Sequence, residues 1–217
     1  MIELSRDGEV FVLRMNDGEN RFNARFIDEL NQRLDEIERH EGASALVTTG
    51  TGKFYSNGLD LDWLASPGND FDDFLRRVQR TLARLLVFPR PTIAAINGHA
   101  FAAGAILALA HDARVMREDR GYFCLPEIDI RIPFTPGLIA LISAKLPQPV
   151  VHDACTTGKR YGGTEARAQS IVADVFSEEA LLQNAIARAR ELAQKDASTL
   201  RTIKRGLYAA TLTALES

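Results

Sequence analysis

Cysteine is scarce in this chain of 217 residues: Cys124 and Cys155 are the only two. Two distant thiols match no zinc spacing and staple no secreted fold, so the composition fits a reducing compartment. Positive charge is not in excess either. The 26 Lys and Arg against 29 Asp and Glu leave a net charge of −3, and with no dense basic cluster no nucleic-acid partner is expected. No apolar run approaches the ~18 residues of a membrane span. The opening MIELSRD lacks the basic start and apolar stretch of a secretory signal. The closing ALES does not match the peroxisomal tripeptide. A cytoplasmic protein with no membrane partner is the expectation. His99, His111 and His152 share no ligand spacing, no His-Glu-x-x-His occurs, and no metal is expected. His111 beside Asp112 reads as structural. A Gly-x-Ser-x-Gly nucleophile elbow is also missing. The GTGK at 50–53 imitates a phosphate loop, but its leading glycine would fall at Val47 and Phe54 stands where Ser or Thr is required.

What is present is an ordinary globular composition, 46% hydrophobic and 25% charged. That length and content suit one domain with a real core, and no linker divides the chain. Glu9 to Met15 alternates as a strand and closes at Asn16, Asp17 and Gly18. Ile27, Leu30, Leu34 and Ile37 share a helical face, with Asn23 placed to cap it. Ala45 to Thr49 is a buried-type strand. Phe71, Phe74, Leu75, Val78, Leu82 and Leu85 form a second helical face that ends before Pro89. Strands follow at Thr92 to Ile96 and Ala113 to Met116, the latter extended by Gly121 to Cys124. Pro136 to Lys145 reads as helix, Val172 to Val175 as a short strand, and Leu181 to Leu192 as a long helix. Ser198 caps the last one. Ser66 to Asp70 is the expected exposed loop. Strands alternating with helices argue for α/β architecture with parallel strands.

Two segments carry chemistry. In FYSNGLDL (54–61) a strand runs into the tight turn of Ser56, Asn57 and Gly58. In the segment from Ala95 to Glu127, a strand leads through Gly98 to the small-residue turn Ala102, Ala103, Gly104 and on into the helix-like Ala105 to Ala110. Such a turn leaves backbone N–H groups free at a helix start, where negative charge is favoured. Glu127 then follows Leu125 and Pro126 and precedes Ile128, a setting that desolvates a carboxylate and raises its basicity. Free N–H donors beside an isolated carboxylate suit proton abstraction next to a carbonyl.

These segments, in this order, resemble the crotonase family, the enoyl-CoA hydratase/isomerase superfamily. FYSNGLDL and AAGAILALAHD (102–112) look most like its Δ3,Δ2-enoyl-CoA isomerase branch. The resemblance covers essentially the whole chain. It implies a single crotonase-like domain over 1–217: an α/β spiral of ββα units to about 176, then a helical C-terminal region over 177–217. By position it implies that the N–H groups of Leu59 and Ala103 form the oxyanion hole and that Glu127 is the catalytic carboxylate. Hydratases of the family carry a second glutamate where this chain has Ile106. A single carboxylate suits moving a proton between two carbons of one substrate better than adding water. Ser56, Asn57, Gly58, Asp60 and Ile106 are then expected around the substrate, with Trp63 on the acyl pocket. Lys53, Arg21, Arg25 and Lys204 are candidates for CoA phosphates. The implied substrate is an acyl-CoA thioester, with coenzyme A as part of it and no separate cofactor, and the implied assembly is a homotrimer or hexamer. Hydration, thioester hydrolysis and a non-catalytic acyl-CoA-binding or assembly role remain the alternatives.

Overall fold

The computed structural model describes residues 1–217. The chain opens with a hairpin, β1 (Ile2–Asp7) and β2 (Val10–Met15), turned by Gly8 at φ +59°. β1 lies ahead of the expected strand. It is an edge strand with Ile2 alone fully buried, so it shows no inward alternation to read. α1 (Ala24–Glu38) follows, capped by Asn23, whose side chain accepts the Phe26 N–H at 3.0 Å. Then come β3 (Ala45–Gly50), β4 (Phe54–Ser56), the short α2 (Leu61–Leu64) and α3 (Phe71–Leu86). Next are β5 (Thr92–Ile96), β6 (His99–Phe101), α4 (Ala103–Leu109), β7 (Ala113–Arg117), β8 (Phe123–Cys124) and α5 (Glu127–Ile130). The remainder is α6 (Pro136–Lys145), α7 (Gln148–Thr157), β9 (Arg160–Tyr161), α8 (Gly163–Ala168), β10 (Asp174–Phe176), α9 (Glu178–Leu192), α10 (Ala197–Leu207) and α11 (Ala209–Glu216).

The strands form two sheets. The larger runs β1-β2-β3-β5-β7-β10 and is parallel beyond the first hairpin. The smaller runs β4-β6-β8-β9. Each of the pairs β3–β4, β5–β6 and β7–β8 gives its first strand to the large sheet and its second to the small one, then enters a helix. That repetition is the ββα spiral. Gly121 to Cys124 therefore does not extend the strand at Ala113. Gly121, at φ +93°, packs so tightly against the backbone of Gly98 that a side chain would collide with it, and the chain turns there into the small sheet. The expected strand at Val172 begins two residues later, at Asp174.

The inner face of the large sheet, α1, α3, α4 and α6 enclose the main core, which includes Leu13, Phe26, Leu34, Leu46, Leu82 and Ile106. On the outer face α9 lays Leu181, Ala185, Ile186 and Ala189 over Val10, Val47, Ile93 and Val115. No helix is long and apolar enough to cross a membrane. Near the C-terminus Asp196, not Ser198, caps α10, accepting the Thr199 N–H at 2.8 Å, and α11 follows it.

Lys204 is the sharpest departure from expectation. Its side chain is buried, with Nζ donating to the Phe88 and Arg90 carbonyls at 2.9 and 3.1 Å and paired with Asp112 at 2.7 Å. It is a tie-rod between α10 and the core and is not available to a CoA phosphate. Asp112 is held in turn by the Thr92 N–H at 2.8 Å. Replacing Lys204 with Met removes the donor from two carbonyls and from a partly exposed carboxylate, and should lower stability by about 1–3 kcal/mol. Urea denaturation of the two proteins measures this, and an unchanged midpoint would contradict it.

Candidate active site

The site begins where two turns meet. Gly58 adopts φ +82°, and a Cβ on it would lie 2.9 Å from the Ala102 Cβ and 3.1 Å from the Ala103 nitrogen. Across the contact, a Cβ on Gly104 would collide with the carbonyl oxygen and side chain of Ser56. Each turn thus has a glycine where the other turn touches it, which requires the absence of a side chain. Ala102 carries the remaining conformational cost. It is a non-glycine residue at φ +50°, ψ −128°, a region that costs of order 1–3 kcal/mol.

Segment 19–22 braces the first turn. Phe22 donates to the Gly58 carbonyl at 2.7 Å and accepts from the Asp60 N–H at 2.9 Å. Asn57 N–H donates to the Glu19 carbonyl at 2.9 Å. Backbone groups alternate in direction along such an extended stretch, so the Leu59 N–H between those anchors faces away from the brace and has no acceptor in the protein. Ala103, the first residue of α4, has no intrahelical acceptor for its N–H. Leu59 and Ala103 line the same cavity, about 420 Å³ in volume and predominantly apolar.

Glu127 lies on that cavity as the first residue of α5. It is 8% exposed, and its Oε2 has no hydrogen-bond partner. Burial pushes its carboxyl up to about 7, opposed only by its own backbone N–H. Ile106 is fully buried in the same wall. The other acid on the cavity, Asp62, is an exposed side chain at the rim, paired with Arg21 at 3.1 Å. The interior therefore holds one buried carboxylate, two unpaired backbone donors and apolar walls. A carbonyl oxygen can be polarised there while an adjacent carbon loses a proton.

Of the residues singled out in the sequence, Leu59, Ala103, Ile106, Glu127, Asn57 and Arg21 line this cavity. Ser56, Gly58 and Asp60 stand behind it and shape its turn. Ser56 Oγ donates to the Asn20 carbonyl at 2.7 Å and accepts the Gly58 N–H at 3.2 Å. Asp60 caps α2 through the Trp63 N–H at 3.2 Å. Trp63 is not on the cavity: it packs edge-on against Phe74 at 4.9 Å, because α2 turns it toward the core. Lys53 is also outside, exposed with its ammonium over the Phe54 ring. Arg25 points from α1 into solvent and pairs with Glu29 at 2.8 Å. Arg21 is the cation at the cavity mouth, shared between Glu19 and Asp62. Much of the apolar wall was not anticipated. Phe71, Leu75 and Val78 come from one edge of the α3 face read as core, and Phe134 and Leu138 from the segment after α5. Helical spacing marked the first three as buried without distinguishing a cavity wall from a packed interior.

The enoyl-CoA hydratase/isomerase family model matches residues 5–217. Enoyl-CoA delta isomerase 3 of Arabidopsis thaliana is 35% identical, over 96% of this chain and 92% of that protein. The peroxisomal enoyl-CoA delta isomerase 2 of the same plant is 36% identical over the same shares. Among solved structures, a probable enoyl-CoA hydratase of Mycobacterium tuberculosis superposes with a TM-score of 0.92 at 28% identity, covering 99% of this chain and 91% of that one. Sequence, fold and the meeting of the two turns agree: the chain belongs to the enoyl-CoA hydratase/isomerase family, the crotonase superfamily.

Proposed function

We propose that this protein is an enoyl-CoA isomerase that moves a double bond from the 3- to the 2-position of an acyl-CoA thioester. The observation that carries the reading is the single buried carboxylate, Glu127, facing a wall that holds Ile106 in place of a second acid. The thioester oxygen sits between the N–H groups of Leu59 and Ala103. Glu127 takes a proton from the α-carbon. The electron pair left behind forms the α-carbon to carbonyl-carbon double bond, and the charge moves to the thioester oxygen as a dienolate. The protonated Glu127 then returns the proton to the γ-carbon, and the double bond settles between the α- and β-carbons. Each oxyanion donor contributes ~3 kcal/mol to the transition state. CoA enters as part of the substrate, and the reaction as written uses no other group. The Arabidopsis relatives named enoyl-CoA delta isomerases support the assignment. A homotrimer or hexamer belongs to the same proposal and rests on the family resemblance.

Glu127→Gln should lower isomerisation by about a thousandfold or more while acyl-CoA binding persists, because the amide fills the same space and cannot accept the proton. In the wild-type protein kcat/KM should fall as the pH drops below about 7, where Glu127 becomes protonated. The same group sets a stability signature. Its carboxyl is raised from 4.5 to about 7 on folding, so its favourable contribution is full below pH 4.5 and is lost as the pH rises through 7. At pH 8 Glu127→Gln should therefore be more stable than wild type by about 1–3 kcal/mol, and the gap should close near pH 4.5. Near-wild-type turnover by the variant would remove Glu127 from its role.

The wild-type protein should isomerise 3-enoyl-CoA far faster than it hydrates 2-enoyl-CoA of the same chain length. An isoleucine opposite Glu127 offers water no hydrogen bond, and the dry wall shields the dienolate. Hydration equal to or faster than isomerisation would reverse the assignment in favour of a hydratase. Ala103→Pro deletes one oxyanion donor and should reduce kcat about a hundredfold in a protein that still melts cooperatively.

A further inference from the structure

Behind the oxyanion hole, on the side away from the cavity, three polar side chains form a chain inside the core. The Tyr55 hydroxyl lies 2.8 Å from Thr48 Oγ1, Thr48 Oγ1 lies 2.9 Å from His111 Nε2, and His111 Nδ1 lies 2.9 Å from the Leu107 carbonyl. Tyr55 and His111 are fully buried and Thr48 is 2% exposed. A carbonyl only accepts, so Nδ1 carries the hydrogen. Nε2 is then an acceptor, Thr48 donates to it, and the hydroxyl of Tyr55 donates to Thr48. The chain runs in one direction, Tyr55 to Thr48 to His111 to Leu107. Burial, followed by the cations Arg114, Lys145 and Lys204, outweighs the Leu107 hydrogen bond and pushes His111 down to about 3, so the imidazole is neutral.

The ends of this chain lie on the elements that carry the two donors. Tyr55 belongs to β4, which leads directly into the turn that presents the Leu59 N–H. His111 and Leu107 belong to the last turn of α4 and the residues after it, and α4 begins with Ala103. Thr48, on β3 of the large sheet, is the fixed point between them. α4 is gripped at its start, where Gly104 rests on Ser56, and just past its end, where Lys145 Nζ donates to the His111 carbonyl at 2.8 Å and the Asp112 N–H donates to the Thr92 carbonyl at 3.1 Å. The polar chain adds a side-chain tie from that end through β3 to β4, which holds the direction of the Ala103 N–H relative to Leu59. Apolar side chains would fill the same space without desolvating three polar groups. A fully satisfied polar chain adds a specified geometry.

We propose that Tyr55, Thr48 and His111 are positioning residues that hold the two oxyanion-hole donors in register, an inference that rests on the isomerase reading of the site. None of them touches the cavity. Their loss should therefore appear in kcat and in carbonyl polarisation, with substrate binding preserved.

The test compares Thr48→Val, which keeps the shape and breaks both bonds, with Thr48→Ser, which keeps the hydroxyl, and Tyr55→Phe, which removes only the first donor. Two quantities are read: steady-state isomerisation of a 3-enoyl-CoA, and the red shift in ultraviolet absorption of a bound 2,4-dienoyl-CoA, which reports how strongly its thioester carbonyl is polarised. Thr48→Val should lose about tenfold in kcat with KM within twofold, and at least half of the red shift, as expected when donors are misplaced. Thr48→Ser should restore both to within twofold of wild type. Tyr55→Phe should lose about threefold in kcat, and it decides the matter alone if Thr48→Val fails to fold. A folded Thr48→Val with wild-type kcat and red shift, or in its absence a Tyr55→Phe with both, would overturn the relay. Wild-type protein that binds the dienoyl thioester without any red shift would instead sink the oxyanion hole itself, and the relay with it.

Discussion

Everything at the site depends on the closeness of two backbones. The turn at Ser56 to Leu59 and the turn at Ala102 to Gly104 touch through glycines on both sides, with a Cβ at either position driven into the opposite chain. Atoms that close fix direction as well as distance. The Leu59 and Ala103 N–H groups are left without protein acceptors because the contact and the brace from Phe22 use up the neighbouring groups. The strained backbone of Ala102 is tolerated within this contact, consistent with strain being held where surrounding structure over-determines it. The spiral serves the same end. By sending alternate strands to two sheets it brings together segments far apart in the chain, each arriving at the end of a short strand of the small sheet.

Much of this was legible in the sequence, for identifiable reasons. The amphipathic faces of α1, α3 and α9 have long helical periodicity, α1 with a cap at Asn23 and α3 with a breaker at Pro89, and all three form helices where they are read. Leu59, Ala103, Ile106 and Glu127 are singled out by the positions they take in the two motifs that resemble the family, and all four line one cavity. What was not legible depends on tertiary context. A short edge strand such as β1 has little inward face to show. The crossing of β8 into the small sheet is decided by a backbone contact between Gly98 and Gly121, which periodicity does not report.

Charged and aromatic residues were the least readable class. Lys204 and Arg25 look alike in sequence, yet one is buried against Asp112 and two carbonyls and the other faces water. A long aliphatic stem lets lysine reach a buried partner as readily as a solvent-exposed anion. Trp63 follows the first motif closely enough to suggest a wall of the cavity, but α2 rotates it toward Phe74. His111, read as structural, is the most deeply embedded of the four histidines. Its Nε2 partner, Thr48, lies 63 positions earlier on β3, so no local pattern announces it.

One contact ties the cavity to the far end of the chain. Gly137, in the first turn of α6, lies so close to the backbone of Ala214 and Leu215 that no side chain fits between them. The next residue, Leu138, is part of the cavity wall. α11 is therefore the backing plate of the cavity, separated from it by the thickness of one helix. The position of that wall is set partly by how the last eight-residue helix seats, although none of its residues lines the cavity. The shape of the cavity is thus a property of the wider fold, and a change in the C-terminal helix reaches its wall without touching Glu127, Leu59 or Ala103.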